Sequence, residues 1–313
     1  MNIAHATTLA RWVGDPAAFA AGHWRRRPGI FTPDGPLASP FTLTDVDDAL
    51  ATGFLHEPYL EMTGPEGPLP SDAYFSARSV NHTSYAGFAD QGKIRALIER
   101  GSTLLMRRVD QWHSPTRDLL ARLSAELQRP VEAFCFVTPS GARGAPLHRD
   151  DADVLVLQLG GSKDWRVYQG PADGDWQEGR LDGDGDLPPE VLRATVREGQ
   201  VLYIPRGFPH EAVGSGGLSA HLSLTIREIH KGDLFRSLQK LSAKAMNVEV
   251  RPLDDEAVLA AATAMLDHVS KAMAGLTPQD LVDHARRSRL AALPAPGAPV
   301  SLSDLAGEYI DHR

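Results

Sequence analysis

The stretch LHRDDADVLVLQLGGSKDWRVY, residues 147–168, decides the reading of this chain. From Asp153 to Leu159 it is an apolar run, as expected of a strand. Gly160-Gly161-Ser162 predicts a turn, and Trp165–Tyr168 predicts a second strand after it. The polar residues at its start carry the chemistry. In extended backbone, residues i and i+2 point to the same side, so His148 and Asp150 can aim a nitrogen and an oxygen at one point.

Working outward, the next informative stretch is GQVLYIPRGFPHEA, residues 199–212. His210 lies 62 residues after His148 and follows a strand and a Pro-Arg-Gly turn, so it can return from a neighbouring strand of the same barrel. Two His and one carboxylate on one side of a metal leave three positions open, the donor set of non-haem Fe(II) oxygenases. By itself the HxD triplet is weak evidence, since a His before an apolar strand commonly has a structural role. Further strand runs fall at 131–137, 201–204, 212–213 and 218–226. Short strands with Gly and Pro turns predict an antiparallel barrel or sandwich.

On either side the pattern changes. Asp15-Pro16 predicts a helix start, running through Trp24. Thr44 with Asp47 resembles a capping box, with Gly53 as the stop. Residues 56–90 read as loops and short strands, 91–100 as a helix, 102–109 as a strand, and Ser114-Pro115 opens an amphipathic helix to about Gln128. After Arg227, Leu234, Leu238, Leu241 and Ala245 recur at helical spacing. A second helix is expected from about Asp254 to Ala274 and a third from Thr277. Residues 293–299 read as a stiff Pro-rich linker, and a short helix is expected from Ser301.

Composition narrows the classes. A single cysteine, Cys135, excludes an intramolecular disulfide and cysteine zinc clusters, whereas 12 His are present. The net charge of −8 argues against broad electrostatic capture of nucleic acid and favours a basic partner. There is no apolar run of about 18 residues and no signal-peptide pattern at the N-terminus, so a cytoplasmic location is expected. Other signals fail on inspection. His210-Glu211 begins like a zinc-peptidase helix, but Gly214 stands at the fifth position. Asp182-Gly-Asp-Gly-Asp186 has Leu187 and Arg193 where a calcium loop needs Gly and an acid. The acidic loop at 171–189 that contains it can still attract a basic substrate. Gly160-Gly161 precedes a strand and is no phosphate loop. Arg25–Arg27 reads as a solvated helix end, Trp165 as core, and Cys135 as buried and inert.

In combination, HxD, the Gly-x-Lys-x-Trp turn and VLYIPRGxxH resemble the JmjC branch of the cupin superfamily, in particular the bacterial and eukaryotic ribosomal oxygenases. His23–Phe31 (HWRRRPGIF) and Thr138-Pro139 fit the same group. The resemblance implies an α+β fold with a double-stranded β-helix core, the jelly roll of cupins, between an N-terminal helical and loop region and a C-terminal helical region. The implied divisions are 1–101, 102–228 for the catalytic jelly roll, 229–292 as a dimerisation region, and 293–313 as linker and short terminal segment, at most the beginning of the winged helix found in larger relatives.

The resemblance further implies an Fe(II)- and 2-oxoglutarate-dependent dioxygenase that uses dioxygen to hydroxylate an unactivated C–H of a side chain in a protein or peptide. His148, Asp150 and His210 match the iron ligands, and Lys163 matches the base that pairs with the distal carboxylate of 2-oxoglutarate. His221 falls where related enzymes place a polar residue near the metal-proximal end of the cosubstrate, and Ser223 points the same way. Phe134 and Phe136 depart from the pattern, standing where many ribosomal oxygenases carry Asn and Tyr. Gly144-Ala145-Pro146-Leu147 also differs from the commoner Gly-Phe-x-Pro. A basic ribosomal protein or a ribosomally made precursor peptide is the expected substrate, in a homodimer without nucleic-acid or membrane partners. The alternatives are a hydroxylase of a small metabolite, an N-methyl demethylase, a cupin with another metal and no 2-oxoglutarate, and a non-catalytic JmjC-like binding module.

Overall fold

A computed structural model describes residues 3–174, 176–181, 187–244, 246, 253–293, 302 and 306. The acidic run 182–186, the Pro-rich linker from 294 and the helix expected from Ser301 lie outside the described residues. By its internal contacts the chain divides into two units. One holds Met1–Leu127 and Val131–Arg227, the other Gln128–Pro130 and Glu228–Leu293.

The first unit is built on one antiparallel sheet. Its strands are β1 (Gly29–Phe31), β2 (Leu60–Gly64), β3 (Gly67–Pro68), β6 (Thr103–Met106), β7 (Val131–Pro139), β8 (His148–Arg149), β9 (Ala152–Tyr168), β10 (Gly179–Arg180), β11 (Glu190–Arg197), β12 (Val201–Ile204) and β13 (His210–Arg227). The hydrogen-bonded order is β1-β12-β9-β13-β7-β6-β2-β3, with β11 beside β9, β8 beside β13 and β10 beside β8. A separate hairpin joins β4 (Phe75–Val80) to β5 (Thr83–Ala89).

The two long strands make the jelly roll. Residues 152–158 of β9 pair with 221–227 of β13, and residues 162–167 pair with 210–215, with the register shifting between Ser215 and His221. The sequence reading split each of these strands in two. The structure instead carries each through its glycines as a bend from one sheet surface to the other. The glycines are required there. Gly161 has φ +61°, and a Cβ on it would lie 2.3 Å from the Leu218 carbonyl oxygen. A Cβ on Gly214 would lie 2.3 Å from the carbonyl oxygen of Pro139. Strand β11, whose burial is partial and irregular, has no counterpart in the sequence reading.

The apolar run of β9 is explained by two cores. Leu155 and Leu157 point into one cluster and Val154 and Val156 into another. The first cluster takes in the N-terminal helices α1 (Thr7–Val13) and α2 (Pro16–Gly22) through Trp12 and Phe19. It also takes in α3 (Leu43–Thr52), α4 (Gln91–Glu99), α5 (Val109–Trp112) and α6 (Ser114–Leu127). The second cluster holds Trp165, Val167, Ile204 and Phe208, between the two layers of the roll. Capping explains the helix starts. Asp15 accepts from the amides of Ala17 and Ala18. The capping box of α3 is Thr42 with Asp45, two residues before the expected pair, and Gly53 closes the helix in the left-handed region. Arg25 is not a solvated helix end, because its Nε donates to the fully buried carboxylate of Asp153 at 3.1 Å.

The second unit consists of α7 (Lys231–Ser242), α8 (Asp255–Ala274) and α9 (Pro278–Ala291), close to the expected spans. Its buried Asp233 is held by His230, Arg236 and Arg289. Helix α8 leaves Leu259, Leu266 and Met273 exposed.

Candidate metal centre and its pocket

Strand β8 is only two residues long, yet it is pinned on both sides. His148 pairs with His210 of β13 on one side and with Arg180 of β10 on the other. This brings together the three residues that the sequence pattern singled out. His148, Asp150 and His210 each offer a donor atom, all within 4.8 Å of one another. Among the described residues no other such group of His, Cys, Asp or Glu occurs.

The hydrogen bonds of the two imidazoles fix which nitrogen faces that point. His148 Nδ1 lies 2.8 Å from the Pro146 carbonyl oxygen, and His210 Nδ1 lies 3.0 Å from that of Phe208. A carbonyl only accepts, so both Nδ1 atoms carry the proton and both Nε2 atoms present lone pairs. The Nε2 atoms stand 3.8 and 3.6 Å from the two oxygens of Asp150. Burial, together with the neighbouring His148, lowers the His210 pKa to about 4, so the ring is neutral and free to donate its lone pair. Two imidazoles and one carboxylate fit a divalent cation of intermediate softness with open coordination positions.

The donors open into a cavity of about 230 Å³. Its walls are Phe134 and Phe136 of β7, Val154, Val156, Lys163 and Trp165 of β9, Ile204 of β12, and His221, Ser223 and Thr225 of β13. Inward facing at alternate positions follows from the register, which sets His221 opposite Phe136 and Ser223 opposite Phe134.

At the deep end lies Lys163, 1 % exposed. Its Nζ donates to Thr138 Oγ1 at 3.0 Å, and among the described residues no carboxylate pairs with it. The rings of Phe136 and Trp165 stand 5.8 and 5.9 Å from Nζ. Burial lowers its pKa from 10.5 to about 7. Buried ammonium groups are stable only with an anionic partner, so this end fits a ligand that brings a carboxylate. The space for one is kept by Gly144, where a Cβ would lie 2.7 Å from Nζ.

Between the two ends, the His221 ring stacks on Phe136 at 4.9 Å and 9°, and its buried Nδ1 has no partner. Burial and the nearby Lys163 hold its pKa well below the ordinary value. Trp165, read from the sequence as core, is both core and cavity wall, and its buried indole N–H is also unpartnered. Cys135 points away from the cavity wall, and burial raises its thiol to about 12, which leaves it inert.

The sequence reading missed the shell behind the donors. Asp153 accepts from Tyr203 Oη at 2.7 Å and from the Arg206 amide at 3.2 Å. Arg206 also pairs with Asp151, and the Gly207 amide donates to the Asp150 carbonyl at 3.0 Å. The run of acids after His148 was visible, but nothing in the sequence says which of them faces the metal and which faces an arginine.

Comparison with known proteins agrees with this architecture. The JmjC domain family matches residues 110–234. Ribosomal oxygenase 1 of Gallus gallus is 29% identical over 217 residues, 66% of this chain and 34% of the relative. Ribosomal oxygenase 2 of Bos taurus is 33% identical over 141 residues, 43% of this chain and 30% of the relative. The chain thus spans about a third of the length of these curated relatives. Among solved structures, the Escherichia coli ribosomal oxygenase YcfD in complex with cobalt and 2-oxoglutarate superposes with a TM-score of 0.51 at 18% identity, over 84% of this chain and 67% of that one. At that identity the likeness speaks for the fold. The resemblance expected from HxD, the Lys163 turn and the His210 stretch holds: residues 110–234 match the JmjC domain family, and the similar sequences include ribosomal oxygenases.

Proposed function

We propose that the chain is an Fe(II)- and 2-oxoglutarate-dependent dioxygenase that hydroxylates a C–H bond of a side chain in a protein or peptide. The observation that carries this is one cavity with two unlike ends. His148, Asp150 and His210 converge at one end, and a buried Lys163 without a carboxylate waits at the other. Its ribosomal oxygenase relatives, and the cobalt and 2-oxoglutarate in the YcfD complex, support the same reading.

His148 Nε2, the Asp150 carboxylate and His210 Nε2 would hold Fe(II), which with 2-oxoglutarate and dioxygen would supply the oxidising power for a C–H bond. Lys163 Nζ binds the far carboxylate of the cosubstrate and Thr138 orients that ammonium. His221 and Ser223 face the near end. Phe134, Phe136, Val154, Val156 and Ile204 exclude water and confine the substrate side chain. A basic ribosomal protein or a ribosomally made peptide is the substrate that best suits a chain of net charge −8. Helix α8, with Leu259, Leu266 and Met273 exposed, is the face through which we propose that two copies associate.

The test is iron-dependent conversion of 2-oxoglutarate to succinate, followed by NMR, with mass spectrometry of lysate proteins and peptides for one added oxygen. Succinate that rises with the oxygenated product supports the proposal. No iron-dependent succinate under any lysate fraction would overturn it.

A further inference from the structure

We infer that Trp176 is a positioning residue that couples the two metal-donating segments to each other. This rests on the reading of His148, Asp150 and His210 as a metal centre. The indole receives a guanidinium from each segment. Arg149, between His148 and Asp150, lies 5.4 Å from its ring centroid, and Arg206, four residues before His210, lies 5.2 Å from it. Cation–π attraction of this kind holds both side chains to one aromatic surface.

The backbone around Trp176 is built for this contact. Gln177 accepts from Arg149 Nε at 2.9 Å through its carbonyl oxygen. Gly179 and Arg180 pair with Arg149 and His148, and the Leu181 amide donates to the Leu147 carbonyl at 3.0 Å. Residues 176–181 are therefore the outer partner of β8, the strand that carries His148. On the other side, Gly207 has φ +82°, and a Cβ there would lie 2.8 Å from the Trp176 ring, so the indole sits directly on the turn that leads to His210. The same turn reaches back through its amide to the Asp150 carbonyl.

The first donor segment is short and half-exposed, with β8 only two residues long, whereas His210 is buried at the start of the long strand β13. A two-residue strand has little stiffness of its own, so the angle between His148 and His210 depends on what bridges them. Among the described residues, Trp176's ring interactions are with Arg149 and Arg206 rather than with the donors. It acts through Arg149 and Arg206, and its removal changes how well the site is formed before any metal arrives.

The experiment is an anaerobic Co(II) titration of the full chain, read by its visible absorption, for wild type, Trp176→Phe and Trp176→Leu. Circular dichroism checks the fold of each. Phe keeps an aromatic face for both guanidiniums, whereas Leu keeps apolar bulk on Gly207 without one. The expected result is Co(II) affinity within about threefold of wild type for Phe. For Leu, a loss of about 10- to 100-fold is expected, the scale of changes just behind a metal's ligands, with an altered absorption envelope. Arg149→Lys, which keeps the charge and loses the planar group, shifts affinity in the same direction even if Trp176→Leu does not fold. Equal affinity and equal spectra for Leu and wild type overturn the inference alone. A wild-type chain that binds no Co(II) overturns the metal-centre reading and this inference with it.

Discussion

The two ends of the cavity solve opposite problems. At the metal end the groups behind the donor atoms already have protein partners. Both Nδ1 atoms are spent on carbonyls, and the acids behind them on Tyr203, Arg25 and Arg206. At the Lys163 end and along the wall between the ends, polar atoms are left over. An ammonium has one hydroxyl, and the His221 Nδ1 and the Trp165 indole N–H have nothing. The first end is arranged before anything binds, and the second is completed by what binds. A metal needs geometry, which folding supplies, whereas an anion supplies charge that the fold withholds.

The largest effect that could break this contrast is at the arranged end. Asp150→Ala is expected to weaken Co(II) binding by well over about 100-fold and to abolish succinate formation, with the fold intact by circular dichroism. Turnover by this variant would mean that the carboxylate is no ligand.

Next comes Lys163→Met, expected to weaken 2-oxoglutarate binding by about 100-fold, read by calorimetry in the presence of Co(II). The same substitution should stabilise the ligand-free chain near neutral pH. Lys163 in the folded chain has its pKa lowered to about 7 from 10.5. Between those values the unfolded chain binds the proton more readily, so this group lets stability rise from pH 7 towards pH 10 and adds no slope below 7. The groups facing it do not titrate in that window, since Cys135 is raised to about 12 and His221 is held well below its ordinary value. Urea denaturation of the two proteins between pH 7 and 10 checks this: the wild-type slope, a few kcal/mol in total, should vanish in Lys163→Met. An unchanged slope would mean that the ammonium is not buried unpaired.

A smaller effect is expected at Gly144→Ala. Its Cβ enters the space beside Nζ and should cost about tenfold in 2-oxoglutarate affinity, with Co(II) affinity unchanged. Smallest is His221→Phe. It keeps the ring on Phe136 and removes the orphaned nitrogen, so stability should hold or rise by under about 1 kcal/mol while cosubstrate affinity falls a few-fold. Thermal melts with and without 2-oxoglutarate separate the two.

Much of the fold was legible in residues 147–168 and 199–212, because strands buried on both faces leave long apolar runs and helices announce their caps. Gly160-Gly161 predicts a turn, and residues 214–217 fall between two separate strand runs, because glycine ends strands in isolation. Only the close crossing of Leu218 and Pro139 shows them to be bends within continuous strands. Strand β11 was missed because its half-buried surface carries no clean alternation.

The sequence by itself determined the donor types, their order and the side of the strand from which His148 and Asp150 project, because backbone periodicity is local. It also placed a lysine one strand away. Tertiary structure alone decided that His210 returns within 4.8 Å of them, and that Asp153 belongs to Arg25 and Tyr203 while Asp150 faces the cavity. It alone decided that Trp176, in a stretch with no pattern of its own, lies against both donor segments. Those facts depend on which distant segments meet, and chain closure over tens of residues leaves no mark in local spacing.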